Sequence, residues 1–276
     1  MTFLDDIPPF MFRAFAVAVL MAPLCGLLGV FVTARRMAFF SDTIAHGALA
    51  GIGLGFLLGF DDPTWPMVLF SVLVAMAILW LKEHTDLLTD TIMALLLSGS
   101  VAFGIIVLSL LKNKRGELHR YLFGDILSVG PDDVWLAAAL CAGIGAWLFA
   151  QLSQLALLTA SEDLAHVSGV RTRWLNYGFV LVLTVVVSLS IRLLGIILVT
   201  SLVVIPPAAA RNLARNLRQQ LILSLLIGLV GGAVGTLASY RWDIPCGPAI
   251  VMACLAIFLG TLIAGKLRRQ RLAWQN

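Results

Sequence analysis

Apolar residues occur in nine long runs that charged residues seldom interrupt. Each run approaches the about 20 residues that an α-helix needs to cross the hydrocarbon core of a bilayer. The alternating segments of about 10 residues that are typical of membrane-spanning strands are absent, so the pattern predicts helices, which satisfy their own backbone hydrogen bonds. The predicted spans are 10–34, 37–60, 64–81, 91–111, 134–158, 174–191, 193–210, 221–239 and 244–265.

Two of these spans run together between residues 174 and 210, where Arg192 is the only charged residue. A single helix of this length would measure about 55 Å, far more than a bilayer requires. We therefore predict a tight turn near Arg192 and Gly195. The predicted fold class is an all-α polytopic membrane protein with about eight or nine transmembrane helices, forming one domain over residues 1–276.

The composition supports this class. Apolar residues make up 60% of the chain and charged residues 12%, which excludes a soluble enzyme. The net charge of +4 is spread over short loops and forms no continuous basic patch, so we predict anionic lipid headgroups and no nucleic acid as partners. The four cysteines show neither a disulfide framework nor metal-thiolate spacing.

The positions of the basic residues predict the orientation in the membrane. If the N-terminus lies outside, nine spans place the C-terminus in the cytoplasm, and twelve of the nineteen basic residues then fall on the inner side. The tail KLRRQR at 266–271 favours this topology most strongly, whereas the basic cluster at 112–120 argues against it. We predict an outer N-terminus and a cytoplasmic C-terminus.

The span at 37–60 differs from the others because it contains both a carboxylate, Asp42, and an imidazole, His46. An ionisable side chain inside a membrane costs about 2.5–3.5 kcal/mol on insertion scales, so such residues usually line a polar path. The i, i+4 spacing places both side chains on one helix face. Oxygen and imidazole nitrogen together suit zinc, and also manganese or ferrous iron.

A second interpretation of this pair is structural. If the helix begins near Asp42, then Ser41 or Asp42 is an N-cap for free backbone N–H groups. If it begins at Met37, the helix is about 34 Å long and His46 lies about 14 Å from its start, near the midplane. Both interpretations stay open, and the bilayer-length helix favours an ion path. The small residues Gly47, Gly51 and Gly55 predict close helix packing in either case.

The segment at 159–173 has the pattern of a short amphipathic helix. Leu164, Val167 and Val170 repeat at helical spacing, and two acidic residues lie in the predicted first turn. On the inner side of the membrane such a helix could dock on a cytoplasmic partner, or it could lie on the lipid surface.

The string GTLIAGKL at 260–267 looks like a phosphate-binding loop. Leu267 stands where that motif requires Ser or Thr, and the glycines end a membrane span and do not follow a strand. If transport is driven by ATP, a separate chain must therefore hydrolyse it.

Four segments together resemble the permease subunits of bacterial zinc, manganese and iron ABC importers, which are related to the cobalamin and siderophore permeases. The segments are RRMAFFSDTIAHGALAGIGLG at 35–55, YLFGDILSV at 121–129, SEDLAHVSGV at 161–170 and LLGIILVTSLVVIPPAAAR at 193–211. They span most of the chain in the order that the family shows.

The resemblance implies a homodimeric permease in the bacterial cytoplasmic (inner) membrane. Two cytoplasmic ABC ATPase subunits would bind ATP, and an extracytoplasmic metal-binding protein would deliver the ion. The chain would hold no permanent cofactor, and it would not itself be an enzyme. Its cargo would be a divalent metal, with zinc as the first candidate.

The resemblance also implies roles for single residues. Asp42 and His46 match the pair that lines the translocation path and contacts the metal. Glu162, Leu164 and Gly169 match the coupling helix, at about 161–170, which seats in a cleft of the ATPase. Asp125 would lie near the outer mouth, where it would receive the ion, help dock the binding protein, or only cap a loop.

This chain departs from the family pattern in two places. It has IPPAAAR where related zinc permeases commonly have IPAATAR, and Pro206 and Pro207 each remove a backbone donor, so we expect a helix break there. The segment HGALAG after the histidine lacks the proline that manganese-type relatives often have, which favours zinc modestly.

Other functions remain open at this stage. The same machine could carry Mn(II), Fe(II) or a metal chelate, and a non-transporting membrane scaffold is a candidate of a different class. An intramembrane hydrolase has no support, because neither a Ser–His nor a paired aspartate arrangement is visible.

Overall fold

The computed structural model describes residues 9–110 and 129–273, and the side chains of 11–110 and 129–267. Within these ranges the chain forms ten α-helices and no strand. They are α1 (Pro9–Ala34), α2 (Phe40–Leu57), α3 (Thr64–His84), α4 (Thr89–Leu110), α5 (Pro131–Ala160), α6 (Glu162–Val167), α7 (Thr172–Leu194), α8 (Ile196–Leu213), α9 (Leu217–Trp242) and α10 (Cys246–Ala273).

Nine of the described helices, all except the short α6, are long and apolar enough to cross a membrane. This confirms the predicted all-helical membrane fold. The predicted turn near Gly195 is also confirmed, since α7 ends at Leu194 and α8 begins at Ile196. Gly195 has a φ of 80°, which a residue with a Cβ rarely adopts.

The start of α2 differs from the bilayer-length helix that we expected from Met37. Arg36 has a φ of 57° in the left-handed region, and the next residues form a turn in which the Phe40 N–H donates to the Met37 carbonyl at 2.9 Å. Because the chain reverses at Arg36, Met37 is outside the helix. The helix begins at Phe40 and is about 27 Å long, which places His46 about 9 Å from its start.

The described helices belong to two compact units of the chain. The first comprises Met1–Thr33, Ile126–Ala142 and Ser201–Asn276, and the second Ala34–Asp125 and Gly143–Thr200. The single domain expected over residues 1–276 stays a prediction. In the second unit α2 packs on α3, α4 and α7, so the helix that carries Asp42 and His46 is the central one.

Glycines of α2 permit this close packing. A Cβ at Gly51 would lie 2.8 Å from both the Phe70 Cβ and the Pro66 carbonyl oxygen on α3. Gly47 faces Val74 in the same way, at 3.1 Å. The packing role predicted for the small residues of this span is therefore confirmed.

In the first unit, α8 continues without interruption through Pro206 and Pro207. The expected helix break at these two prolines is therefore wrong. Pro207 leaves the carbonyl of Val203 without its usual helical donor, and this carbonyl faces Gly29 of α1, where a Cβ would collide with it. Packing against a glycine thus accommodates both the proline ring and the freed carbonyl, which the isolated sequence of α8 could not show.

Candidate functional site

Asp42 and His46 lie on the same face of α2, one helical turn apart, and both side chains are half-buried. The carboxyl group and the imidazole are close enough to interact electrostatically across this turn. A carboxylate and an imidazole in this arrangement offer one oxygen and one nitrogen donor to a shared cation. The predicted pairing of the two groups on one helix face follows directly from the helical period.

Thr200 on α8 is a third polar group at this site, and sequence reasoning missed it. Its hydroxyl lies within hydrogen-bonding reach of the Asp42 carboxyl. The alternative acceptor for that hydroxyl is the Ile197 carbonyl, at a long 3.4 Å. The sequence feature that could have pointed to Thr200 is the pair Thr200 and Ser201, two adjacent hydroxyl side chains in an otherwise apolar span.

The capping interpretation of Asp42 is not supported. The N-cap of α2 is Phe39, and no side chain caps the helix. The Ser41 hydroxyl donates to the Ala38 carbonyl at 3.5 Å, and the Thr43 hydroxyl lies 2.9 Å from the Phe39 carbonyl and 3.2 Å from that of Met93. Asp42 does lie in the first helical turn, where the free N–H groups stabilise a negative charge.

The number of donor side chains limits how a single copy of the chain can bind a metal ion. Among the described residues no group of three or more His, Cys, Asp or Glu side chains comes close enough to hold a metal ion. Asp42 and His46 are therefore an open pair of donors, unlike the closed four-ligand cage of a structural zinc site. An ion held by two protein donors exchanges readily, which suits passage more than storage.

The predicted coupling segment forms α6, a helix shorter than the expected range of 161–170. Ser161 caps it by accepting from the Leu164 N–H at 3.3 Å, and Glu162 lies in its first turn. Gly169 follows the helix with a φ of 76°, a turn that favours glycine. Leu164 and Val167 are 58% and 86% exposed, so α6 presents apolar side chains to its surroundings.

Asp125, the residue expected at the outer mouth, lies outside the described residues, as does most of the YLFGDILSV segment. Its role stays a prediction.

Comparison with known proteins finds similarity over almost the whole chain. The sequence model of the ABC 3 transport family matches residues 8–265. The high-affinity zinc uptake system membrane protein ZnuB of Haemophilus influenzae is 28% identical over 263 residues, which cover 95% of this chain and 98% of that protein. The manganese import system permease protein ScaB of Streptococcus gordonii is 28% identical over 254 residues, covering 91% of this chain and 89% of the relative.

A solved structure shows the same fold. The structure of PsaBC from Streptococcus pneumoniae in complex with Fab matches with a TM-score of 0.81 and 27% identity, covering 94% of this chain and 92% of the matched chain. The family match, the two named relatives and this fold confirm the family inferred from the four sequence segments. The chain therefore belongs to the ABC 3 transport family, and it is a metal-transporter permease with multiple membrane spans.

Proposed function

We propose that this chain is the permease of an ATP-driven importer for Zn(II). The observation that carries the proposal is the open Asp42–His46 pair on α2, the central helix of its unit. Two copies of the chain would bring two carboxylates and two imidazoles to one path. Such a set is sufficient to replace the water ligands of a divalent ion during its passage.

Partner proteins supply the steps that this chain does not perform. An extracytoplasmic binding protein delivers the ion, and cytoplasmic ATPase subunits hydrolyse ATP. The exposed apolar side chains of α6, Leu164 and Val167, together with Glu162, form the surface on which an ATPase docks. Movement of the ATPases is then passed to the permease through this helix.

The basic residues near α6 favour an orientation with this end of the second unit in the cytoplasm of a bacterial inner membrane. Arg35 after α1 donates to Thr159 near the end of α5, and Arg173 near the start of α7 pairs with Glu83 near the end of α3 at 2.7 Å. Arg35, Lys82, Arg171 and Arg173 of the second unit all lie near these helix ends, as the positive-inside rule requires of the inner side. The N-terminus is accordingly outside and the C-terminus inside.

Zinc uptake by whole cells tests the proposal. Cells of the natural host that lack this chain would receive the wild type, His46→Ala or His84→Ala at equal membrane abundance, with manganese as competitor. His84 is the matched control because it is exposed at the end of α3 and stacks on Trp80. We expect wild type and His84→Ala to restore zinc uptake and His46→Ala to abolish it.

The other outcomes contradict particular parts of the proposal. Uptake of manganese that zinc does not displace would reassign the cargo to Mn(II), which the similarity to ScaB makes the second candidate. Uptake by His46→Ala equal to that of wild type would remove His46 from the path. Failure of wild type to restore uptake of any metal, with ATPase and binding protein present, would leave a metal chelate or a scaffold role.

A further inference from the structure

Arg35 is a half-buried cation in the turn that leads into α2. Its Nε donates to the Thr159 hydroxyl at 3.3 Å, and its Nη1 donates to the Asn176 side-chain oxygen at 3.1 Å. Its guanidinium lies 4.6 Å from the centre of the Phe179 ring. Burial lowers the pKa of Arg35 to about 10, and the negative charge of Glu162 opposes this shift.

One nitrogen of this guanidinium makes no hydrogen bond within the part of the chain that the structure describes. The Nη2 atom is buried and makes no hydrogen bond to any described residue. A buried donor without an acceptor is unfavourable, and more so on a charged group. An apolar side chain of similar length would fill the same space without that penalty, so packing alone does not account for an arginine here.

The contacts of Arg35 join the elements through which an ATPase would act on the metal site. Thr159 lies near the end of α5, Glu162 begins α6, and Asn176 is near the start of α7. Arg35 itself stands five residues before the start of α2, and the left-handed turn at Arg36 fixes the chain between them. Hydrogen bonds thus link Arg35 to α5 and α7, and the charge of Glu162 links it to α6.

We propose that Arg35 is a positioning residue that couples α6 to the helix carrying Asp42 and His46. In the conformation described here it holds Thr159 and Asn176. When the ATPases displace α6, the free Nη2 binds the Glu162 carboxylate, and the turn at 35–39 moves with it. This inference rests on the proposed transport function.

A reconstituted complex tests this coupling. The permease would be purified with its ATPase, placed in lipid vesicles and supplied with zinc-loaded binding protein, and both zinc uptake and ATP hydrolysis would be measured. Arg35→Gln removes the charge, and Arg36→Gln is the matched control, because Arg36 is adjacent and exposed. Arg35→Lys keeps the charge but cannot make the same set of directed hydrogen bonds.

We expect Arg35→Gln to reduce zinc uptake about tenfold and to abolish the stimulation of ATP hydrolysis by zinc-loaded binding protein. The unstimulated rate of ATP hydrolysis should stay within about twofold of wild type. Arg36→Gln should stay within about twofold on both measures, and Arg35→Lys should recover part of the stimulation. Asn176→Ala, which removes one acceptor and leaves the cation in place, should lower stimulation in the same direction.

The pairing with Glu162 has its own test. Glu162→Gln should lower stimulation in the wild-type background and have no further effect in Arg35→Gln, because the partner charge is already gone. Independent, additive losses would overturn the pairing. If Arg35→Gln lost the unstimulated ATP hydrolysis or the bound ATPase, the role of Arg35 would be merely structural. If the Arg35→Gln and Arg36→Gln variants behaved alike, the inference would be overturned.

These outcomes are distinguishable from failure of the proposed function. If the wild-type complex takes up no zinc, the cargo assignment fails. The same comparison of Arg35→Gln with Arg36→Gln, repeated with manganese-loaded binding protein and with ATP hydrolysis as the measurement, then still reports on Arg35.

Discussion

The hydroxyl group of Thr200 on α8 lies within hydrogen-bonding reach of the carboxyl group of Asp42 on α2. These residues are far apart in the sequence, and α8 contributes no charged side chain here. A hydroxyl that donates to one carboxylate oxygen restricts the rotation of that carboxylate. Thr200 therefore helps to fix the direction in which Asp42 offers its other oxygen to an ion.

Replacing Thr200 by valine should weaken metal uptake without unfolding the protein. The substitution keeps the β-branched shape and removes a hydrogen bond of about 1 kcal/mol, so the half-saturating zinc concentration should rise about fivefold. Thr200→Ser keeps the hydroxyl and should remain close to wild type. Zinc uptake over a range of concentrations checks this, and equal values for the valine and serine variants would remove Thr200 from the site.

Replacing Gly51 by alanine should destabilise the second unit. The new Cβ would approach the Pro66 carbonyl oxygen and the Phe70 Cβ at 2.8 Å, and a backbone oxygen cannot turn away as a flexible side chain can. We expect a loss of about 1–3 kcal/mol in the free energy of unfolding. The measurement is the thermal unfolding midpoint of purified protein in detergent.

Gly99→Ala is the control for this prediction, because Gly99 lies within α4 and nothing is within 4 Å of a Cβ there. Alanine should stabilise a helix at such a position by about 0.5–1 kcal/mol. If Gly51→Ala and Gly99→Ala shifted the unfolding midpoint in the same direction, the close approach of α2 to α3 would not explain why residue 51 is a glycine.

Leu164→Ala should weaken binding of the ATPase and leave the fold intact. Leu164 is 58% exposed on α6, so its removal costs the isolated chain little, whereas a buried apolar contact with a partner is worth about 1.5–3 kcal/mol. The amount of ATPase that copurifies with the permease measures this. Leu95→Ala on α4, where the leucine is 57% exposed, is the same change away from α6 and should retain the ATPase.

Asp62 should contribute a small stability that disappears in acid. It accepts a hydrogen bond from the Thr64 N–H at 3.0 Å and pairs with Arg192 at 3.3 Å. Partial burial opposes ionisation, but the contacts with Thr64 and Arg192 outweigh it and lower the pKa of Asp62 below its usual value. A folded-state pKa below the unfolded one means that stability is present above the unfolded pKa and is lost as the pH falls through the folded one.

The substitution Asp62→Asn tests this pH dependence. Because the pair is exposed, its contribution should be at most about 1 kcal/mol at neutral pH. The difference in unfolding midpoint between wild type and Asp62→Asn should shrink as the pH falls below about 3.9, the usual value for an aspartate. A difference that stays constant at all pH values would contradict the assignment.

The period of the helix and the thickness of the bilayer determine what can be predicted locally. A run of apolar residues must satisfy its own backbone inside lipid, so the number of described spans and the turn at Gly195 followed from the sequence. The shared face of Asp42 and His46 followed from their spacing for the same reason. The short helix α6 was indicated by the apolar repeat and by the two acidic residues of its first turn.

Tertiary contacts decided the features that the local pattern predicted wrongly or left out. The start of α2 depends on the left-handed turn at Arg36, and the continuity of α8 through its prolines depends on Gly29 of another helix. Thr200 and the partners of Arg35 lie far along the chain from the residues they contact. The sequence pattern of a helix indicates which of its faces lie against lipid, water or other helices. The polar partner of a buried group is determined only when helices that are distant in the sequence pack together.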